Sequence, residues 1–276
     1  MKKLFYFLLI ITLSASCSVE VEESASSSGA SDGTASSPME LTVGTAISGG
    51  IDYNGYSYYK FTTSSSGAGS YKLEIASMSV SDGWGSSAVT TYLYSASGYS
   101  SSNLIDWDSC AASCTIYFDY ENLDKSKTYY LKLSGYGTVT YSLTVSQGGS
   151  EGSKNNPVAL TLGEAHTGGK VEGYFYYWGH RGNSYYKFTT TSADNYTLSM
   201  NNSDSLDCYL LSDSAFSSLV SDTYNGCTAG TNLSTTFKGS SGTGLSATTA
   251  YYLMIEQQGS TALTTTYDNM TVAPEG

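Results

Sequence analysis

The seven residues SYYKFTT occur twice, at 57–63 and again at 184–190. An unbroken match of this length in a 276-residue chain marks a duplication, which limits the fold to two copies of one unit. Other segments align in the same order. PMELTVG (38–44) answers PVALTLG (157–163), and Gly49-Gly50 answers Gly168-Gly169. Tyr71-Lys72-Leu73 answers Tyr196-Thr197-Leu198, and Tyr129-Tyr130-Leu131 answers Tyr251-Tyr252-Leu253. Tyr92-Leu93 answers Tyr209-Leu210, with Cys110 and Cys227 each 18 residues beyond those tyrosines. The units span 38–146 and 154–273. Two copies are too few for a solenoid, whereas about 100 residues is the size of one β-sandwich.

Periodicity sets the class. After residue 17 no stretch sustains a 3.6-residue apolar period; short alternating runs appear instead, such as Tyr71-Leu73-Ile75, Tyr141-Leu143-Val145 and Tyr196-Leu198-Met200. Alternation with period two is the signature of half-buried strands, and Gly, Ser, Asn and Asp mark the turns between them. The expected fold is all-β, two tandem jelly-roll-like β-sandwich domains. A formal charge of −12 argues against nucleic acid, whose phosphates require a basic face.

The N-terminus sets the compartment. Met1-Lys2-Lys3 followed by LFYFLLIITL (4–13) has the flanks and length of an export signal and is too short for a membrane span of about 20 residues. Ser14-Ala15-Ser16-Cys17 then resembles the bacterial lipobox, with Ser14 where Leu is usual. The resemblance implies a signal peptide over 1–16 and lipidation (palmitate among the acyl chains) of Cys17. The lipid would be the partner contact with the membrane, since each buried methylene contributes about 0.8 kcal/mol. Residue 18 is Ser, not the Asp of inner-membrane retention, which points to the outer membrane or cell surface. Residues 17–37 read as the lipidated cysteine and a disordered tether, and QGGSEGSKNN (147–156) as a flexible linker, with the second unit starting inside it at 154.

Side-chain chemistry offers few sites. With Cys17 assigned to lipid, Cys110 and Cys114 fall in the first unit and Cys208 and Cys227 in the second, as for one disulfide per unit in an oxidising compartment. Asp204 and Asp207 precede a strand and Asp106 and Asp108 form Asp-x-Asp in a loop; such carboxylates can ligate Ca²⁺, although turn-forming Asp is the commoner explanation. Gly148-Gly149-Ser150-Glu151-Gly152 matches G-x-S-x-G but lacks the strand–turn–helix context that activates the serine, so the chain is expected not to be an enzyme and to need no cofactor. Between Gly169 and SYYKF the second unit carries eight residues more than the first, within KVEGYFYYWGHRGN (170–183). This insert gathers Tyr174, Phe175, Tyr176, Tyr177, Trp178, His180 and Arg181, residue types that dominate binding hot spots and stack on sugars. A longer hairpin covering the sandwich is the alternative.

The order NPVALTLGEAHTGGKV, then YYKF, YTL, an aspartate-led Y-L and a late YYL resembles the bacterial pre-peptidase C-terminal (PPC) domains. The second unit fits throughout; the first has Thr45-Ala46-Ile47 where the second has the His of EAHTGG. This resemblance implies secreted β-sandwiches, some of whose relatives bind extracellular matrix and calcium. The expected function is an envelope lipoprotein displaying two binding modules for a glycan or matrix protein. The alternative is a structural or accessory lipoprotein with no ligand of its own.

Overall fold

The structure is a computed structural model that describes residues 31–65, 68–81, 89–172, 174–176, 179–203, 206–220, 225–227, 230–239, 243–260 and 264–275. Within these, the side chains of residues 119–121, 174–176, 179–181, 225–227, 230–233 and 258–260 lie outside the description. Cys17, the signal segment and residues 18–30 lie outside the described residues.

The chain is all-β. In the first unit β1 (Met39–Leu41), β2 (Ile47–Ile51), β3 (Tyr56–Thr62), β4 (Gly69–Val80) and β5 (Val89–Tyr94) are followed by β6 (Leu104–Cys110), β7 (Cys114–Leu123), β8 (Thr128–Gly135) and β9 (Val139–Glu151). The second unit runs β10 (Val158–Ala159), β11 (Gly169–Glu172), β12 (Tyr174–Tyr176), β13 (Gly179–Thr189), β14 (Tyr196–Asn202) and β15 (Leu206–Leu211). It ends with β16 (Asn225–Cys227), β17 (Gly230–Phe237), β18 (Ala250–Ser260) and β19 (Thr264–Pro274). One sheet of the first unit has the order β1-β3-β8-β5-β6, and the other β2-β9-β4-β7. The second unit repeats both orders, as β10-β13-β18-β15-β16 and β11-β19-β14-β17, with β12 added beside β13. Duplication in sequence is thus duplication in topology.

Alternation puts one face of each sheet into the core. Tyr59 and Phe61 of β3, Leu131 and Leu133 of β8 and Leu93 of β5 meet Leu73 and Ile75 of β4 and Leu143 and Val145 of β9, all fully buried. Each such side chain contributes about 1.5–3 kcal/mol. A separate core of Tyr186, Phe188, Leu198, Leu210, Leu253 and Val272 fills the second unit.

The repeated heptapeptide is explained residue by residue. Phe61 lies between Tyr129, stacked at 5.9 Å, and Tyr71, also at 5.9 Å. Those tyrosines each accept a loop N–H at 2.9 Å, from Asp124 and from Ser64. Phe188 sits likewise between Tyr251 and Tyr196, whose hydroxyls accept from Ser246 and Thr191 at 3.0 Å. Thr63 Oγ1 donates to Asp124 O at 2.6 Å, as Thr190 Oγ1 does to Ser246 O. These tyrosines repeat because each fills the core with its ring and pins a loop with its hydroxyl.

Tyr59 and Tyr186 reveal where each unit begins. Tyr59 Oη donates to Asp32 Oδ2 at 2.8 Å and shares a hydrogen bond with Tyr141 Oη at 2.8 Å, while Gly50 N donates to the same carboxylate at 2.7 Å. In the second unit Tyr186 Oη donates to Glu151 Oε2 at 2.5 Å and bonds Tyr267 Oη. Asp32 N donates to Ser57 Oγ at 2.8 Å, and Glu151 N to Ser184 Oγ at 2.9 Å. Gly33 and Gly152 follow with φ of 60° and 67°, the left-handed region where glycine carries no steric cost. The segments SDGTASSP (31–38) and SEGSKNNP (150–157) therefore form one repeated motif.

Two expectations change. Residues 31–37, read as tether, dock on the first sandwich and belong to it. Residues 147–151, read as linker, complete β9, paired to β4 with Gly69 opposite Glu151. Glycine here serves close approach: a Cβ on Gly148 would collide with Ser70. The joint is tightly bonded. Glu172, buried in the second unit, accepts Gly149 N and, at 3.2 Å, Lys72 Nζ from the first. Asn122 Nδ2 donates to Gly152 O at 2.9 Å and Asn183 O at 2.7 Å.

Hydrogen bonds to charged groups contribute about 1.5–3 kcal/mol. Asp32→Asn and Glu151→Gln are expected to lower unfolding free energy by about that much each in urea titrations, whereas a true tether or linker residue leaves the midpoint unchanged. Burial, reinforced by neighbouring hydroxyls and carboxylates, also holds the Tyr59 and Tyr186 phenols well above the usual value. The folded state then keeps protons that the unfolded chain releases near pH 10, so stability is full below that pH and falls above it. Urea midpoints on either side of about pH 10 test this.

Candidate functional site

The structure places the expected site residues as follows. β12 pairs antiparallel with the start of β13, Tyr174 opposite Arg181, Phe175 opposite His180 and Tyr176 opposite Gly179. The insert is thus a β-hairpin. Tyr177 and Trp178, and the side chains of Tyr174, Tyr176, His180 and Arg181, lie outside the described residues, as does Asp204. Asp207 is on β15 opposite Glu256 of β18, with its carboxyl raised above the usual range by burial and opposed by a hydrogen bond from Tyr209. No cluster of three metal-ligating groups occurs among the described residues. Asp106 and Asp108 lie within β6, not in a loop, each accepting the N–H of the next residue, from Trp107 N at 2.8 Å and from Ser109 N at 2.7 Å. Cys110 and Cys114 form a disulfide, Cα to Cα 6.1 Å, across the β6–β7 turn. Cys208 is disulfide-bonded, and β16, which pairs with β15, carries Cys227 in its backbone. Ser150 of the G-x-S-x-G match is buried in β9, with Oγ donating to Glu172 O at 3.0 Å.

A different surface stands out. The outer face of the β1-β3-β8-β5-β6 sheet carries aromatic residues in register. Tyr58 of β3 faces Lys132 of β8, Lys132 faces Tyr92 of β5, and Tyr92 faces Trp107 of β6. The first three point outward because their neighbours Ser57 and Tyr59, Leu131 and Leu133, and Thr91 and Leu93 point in, and Trp107 shares the phase of Tyr92, which it faces. Trp107 is 60% exposed and Tyr56, at the end of β3, 47%. Tyr53 and Tyr136, also exposed, flank the same end, one just before β3 and one just after β8.

Lys132 is held within this row. Its Nζ lies 4.0 Å from the Tyr56 ring centroid and 5.8 Å from that of Tyr92. Cation–π attraction fixes the ammonium above the face. Behind it, Tyr99 from the β5–β6 loop folds over the sheet, edge-on to Tyr58 at 5.0 Å, Tyr94 at 5.3 Å and Tyr130 at 6.1 Å. Tyr99 adopts φ of 44°, the left-handed region that non-glycine residues rarely enter. Burial, then the phenols of Tyr58, Tyr130 and Tyr94, push its hydroxyl up to about 12. That hydroxyl is buried with no hydrogen-bond partner among the described residues.

The second unit carries the same construction closed over. Phe216, φ 54°, replaces Tyr99 and packs edge-on against Tyr185 at 4.9 Å and Tyr252 at 5.3 Å. Tyr185 is consequently buried, and Met254 stands between Tyr185 and Tyr209 where Lys132 stands between Tyr58 and Tyr92. An apolar cluster of Tyr185, Leu211 and Phe216 covers this sheet. Sequence reasoning missed the open face of the first unit. The signal was present as Tyr56-x-Tyr58, Tyr130-x-Lys132 and Tyr92-x-Tyr94, aromatics in the strand phase opposite to the core.

No family model matches the chain, and no curated protein does. Among solved structures, a secreted protein from Eubacterium rectale is 10% identical, with 89% of this chain and 82% of that chain covered and a TM-score of 0.26. The N-terminal CBM22-1-CBM22-2 tandem domain from Paenibacillus barcinonensis Xyn10C is 6% identical (79% and 82% covered, TM-score 0.23). A fucolectin from striped bass serum is 12% identical (84% and 87% covered, TM-score 0.27). Likeness at this level establishes no shared activity.

Because the Tyr99 hydroxyl is an orphan and the other unit uses phenylalanine there, Tyr99→Phe is expected to leave stability unchanged or raise it by up to about 1 kcal/mol. Thermal unfolding of the variant checks this, and a clear loss would mean that the hydroxyl has a partner.

Proposed function

We propose that this chain is an envelope lipoprotein, anchored through Cys17, whose two PPC-like sandwiches form one body, with the outer sheet of the first as a glycan-binding face. The observation that carries this reading is the row Tyr58–Lys132–Tyr92–Trp107, in register on the outer face, with Tyr58, Lys132 and Tyr92 half-buried and Trp107 exposed. Neighbouring strands sit about 4.8 Å apart, so the rings form a continuous strip on a rigid support. The flat C–H face of a pyranose ring packs on such a strip, burying apolar area while its hydroxyls stay in water. Aromatic side chains contribute this area with little loss of conformational freedom. The acidic chain and the exported N-terminus are consistent with display outside the cytoplasm. Among the described residues no helix is long and apolar enough to cross a membrane.

A glycan and matrix-protein array probed with the full chain, with and without Ca²⁺, tests the reading. Trp107→Ala and Tyr92→Ala are expected to weaken glycan binding at least about tenfold. Trp107→Ala should leave the melting temperature nearly unchanged, since Trp107 is mostly exposed. Retained binding in both variants, with loss in Trp178→Ala, would move the site to the hairpin of the second unit. Absence of any ligand would favour an accessory, structural lipoprotein.

A further inference from the structure

We infer that the glycan taken by the first unit is acidic: a polymer of pyranose rings that lie on Tyr92 and Trp107 and present carboxylates to Lys132. This inference rests on the glycan-binding reading above. Four observations carry it. Lys132 sits inside the aromatic row, with Tyr58 on one side and Tyr92 on the other. Its ammonium is held 4.0 Å from the Tyr56 ring centroid, over the ring, on a side chain that is half-buried and so still reachable from solvent. It has no acidic partner among the described residues, whereas Lys60 in the next row is paired to Glu40 at 3.4 Å. Lys72 and Lys127 are likewise paired, to Glu172 and Asp124. Finally, the copy of this face in the second unit holds Met254 at the matching place and is closed by Phe216.

Charge decides the class of ligand. The chain carries −12, so an anionic polymer is repelled by most of its surface. A fixed, uncompensated cation among aromatic rings is where such a polymer gains both charge-assisted hydrogen bonds and apolar contact. The nearest acidic residues on β6, Asp106 and Asp108, are in register with the inward-pointing Leu93 and Thr91, on the phase opposite to Trp107. They leave the row itself without negative charge. A neutral glycan would use the rings and could accept ordinary hydrogen bonds from Lys132, but only an acidic one adds the stronger charge-assisted pairing.

The test is calorimetric titration of the full chain with polygalacturonate and with alginate, each beside its methyl ester, in chelator at low and moderate salt. The ester keeps the rings and removes the charge. The acidic form of at least one polymer is expected to bind about tenfold tighter than its ester, with the difference shrinking as salt rises. Lys132→Met should abolish the difference, Lys132→Arg should preserve it, and Trp107→Ala should weaken both forms. Equal affinity for acid and ester, or an unchanged preference in a folded Lys132→Met, overturns the inference and leaves glycan binding standing. If neither these polymers nor any neutral glycan on the array binds, the glycan-binding reading itself falls, and the inference with it.

Discussion

The carboxylate that each unit receives from the segment ahead of its first strand, Asp32 in one and Glu151 in the other, is the contact on which the rest of the architecture depends. It lands on a pair of buried tyrosine hydroxyls, Tyr59 with Tyr141 and Tyr186 with Tyr267, that join the two sheets of a sandwich. Buried phenols need partners, because an unmet polar group in a core is expensive. Supplying the acceptor from outside the sandwich ties the entering chain down at a defined place. In the second unit His166 adds to the same carboxylate at 2.8 Å. There the entering chain is also the last strand of the first unit, so closing one sandwich orients the other.

This explains why a stretch with the composition of a linker is built as structure. β9 continues through Gly148, Gly149 and Ser150 while Glu172 and Lys72 bond across the joint. A flexible connection would let the two sandwiches rotate independently. Buried bonds from Asn122 to Gly152 and Asn183 hold them in one arrangement.

Duplication preserved the frame and released the outer faces. Residues of SYYKFTT that point inward or pin loops keep their partners in both copies: Ser57 and Ser184, Tyr59 and Tyr186, Phe61 and Phe188, Thr63 and Thr190. Tyr58 and Tyr185, which point outward, have diverged in surroundings. One stands half-buried in a row with a lysine, and the other lies fully buried under Phe216. Two copies of one frame thereby come to differ in what they offer a partner.

Much of the frame was legible in the sequence. Period-two alternation fixes which residues of a strand share a face, and the aligned repeats require both units to have the same strands, because identical inward side chains fill identical cores. The motif SDGTASSP against SEGSKNNP was in the sequence too, but its small polar residues look like tether and linker until the tyrosines that receive Asp32 and Glu151 are located in space. The open face was hidden for a related reason. Tyr58, Lys132, Tyr92 and Trp107 are far apart along the chain, and alternation says only that each points away from the core. Pairing register brings them into one row, which the Tyr99 loop covers only in part, whereas Phe216 buries its copy. Local pattern determined the strands; which strands lie side by side, and what folds over them, is a long-range outcome that only the tertiary structure decided.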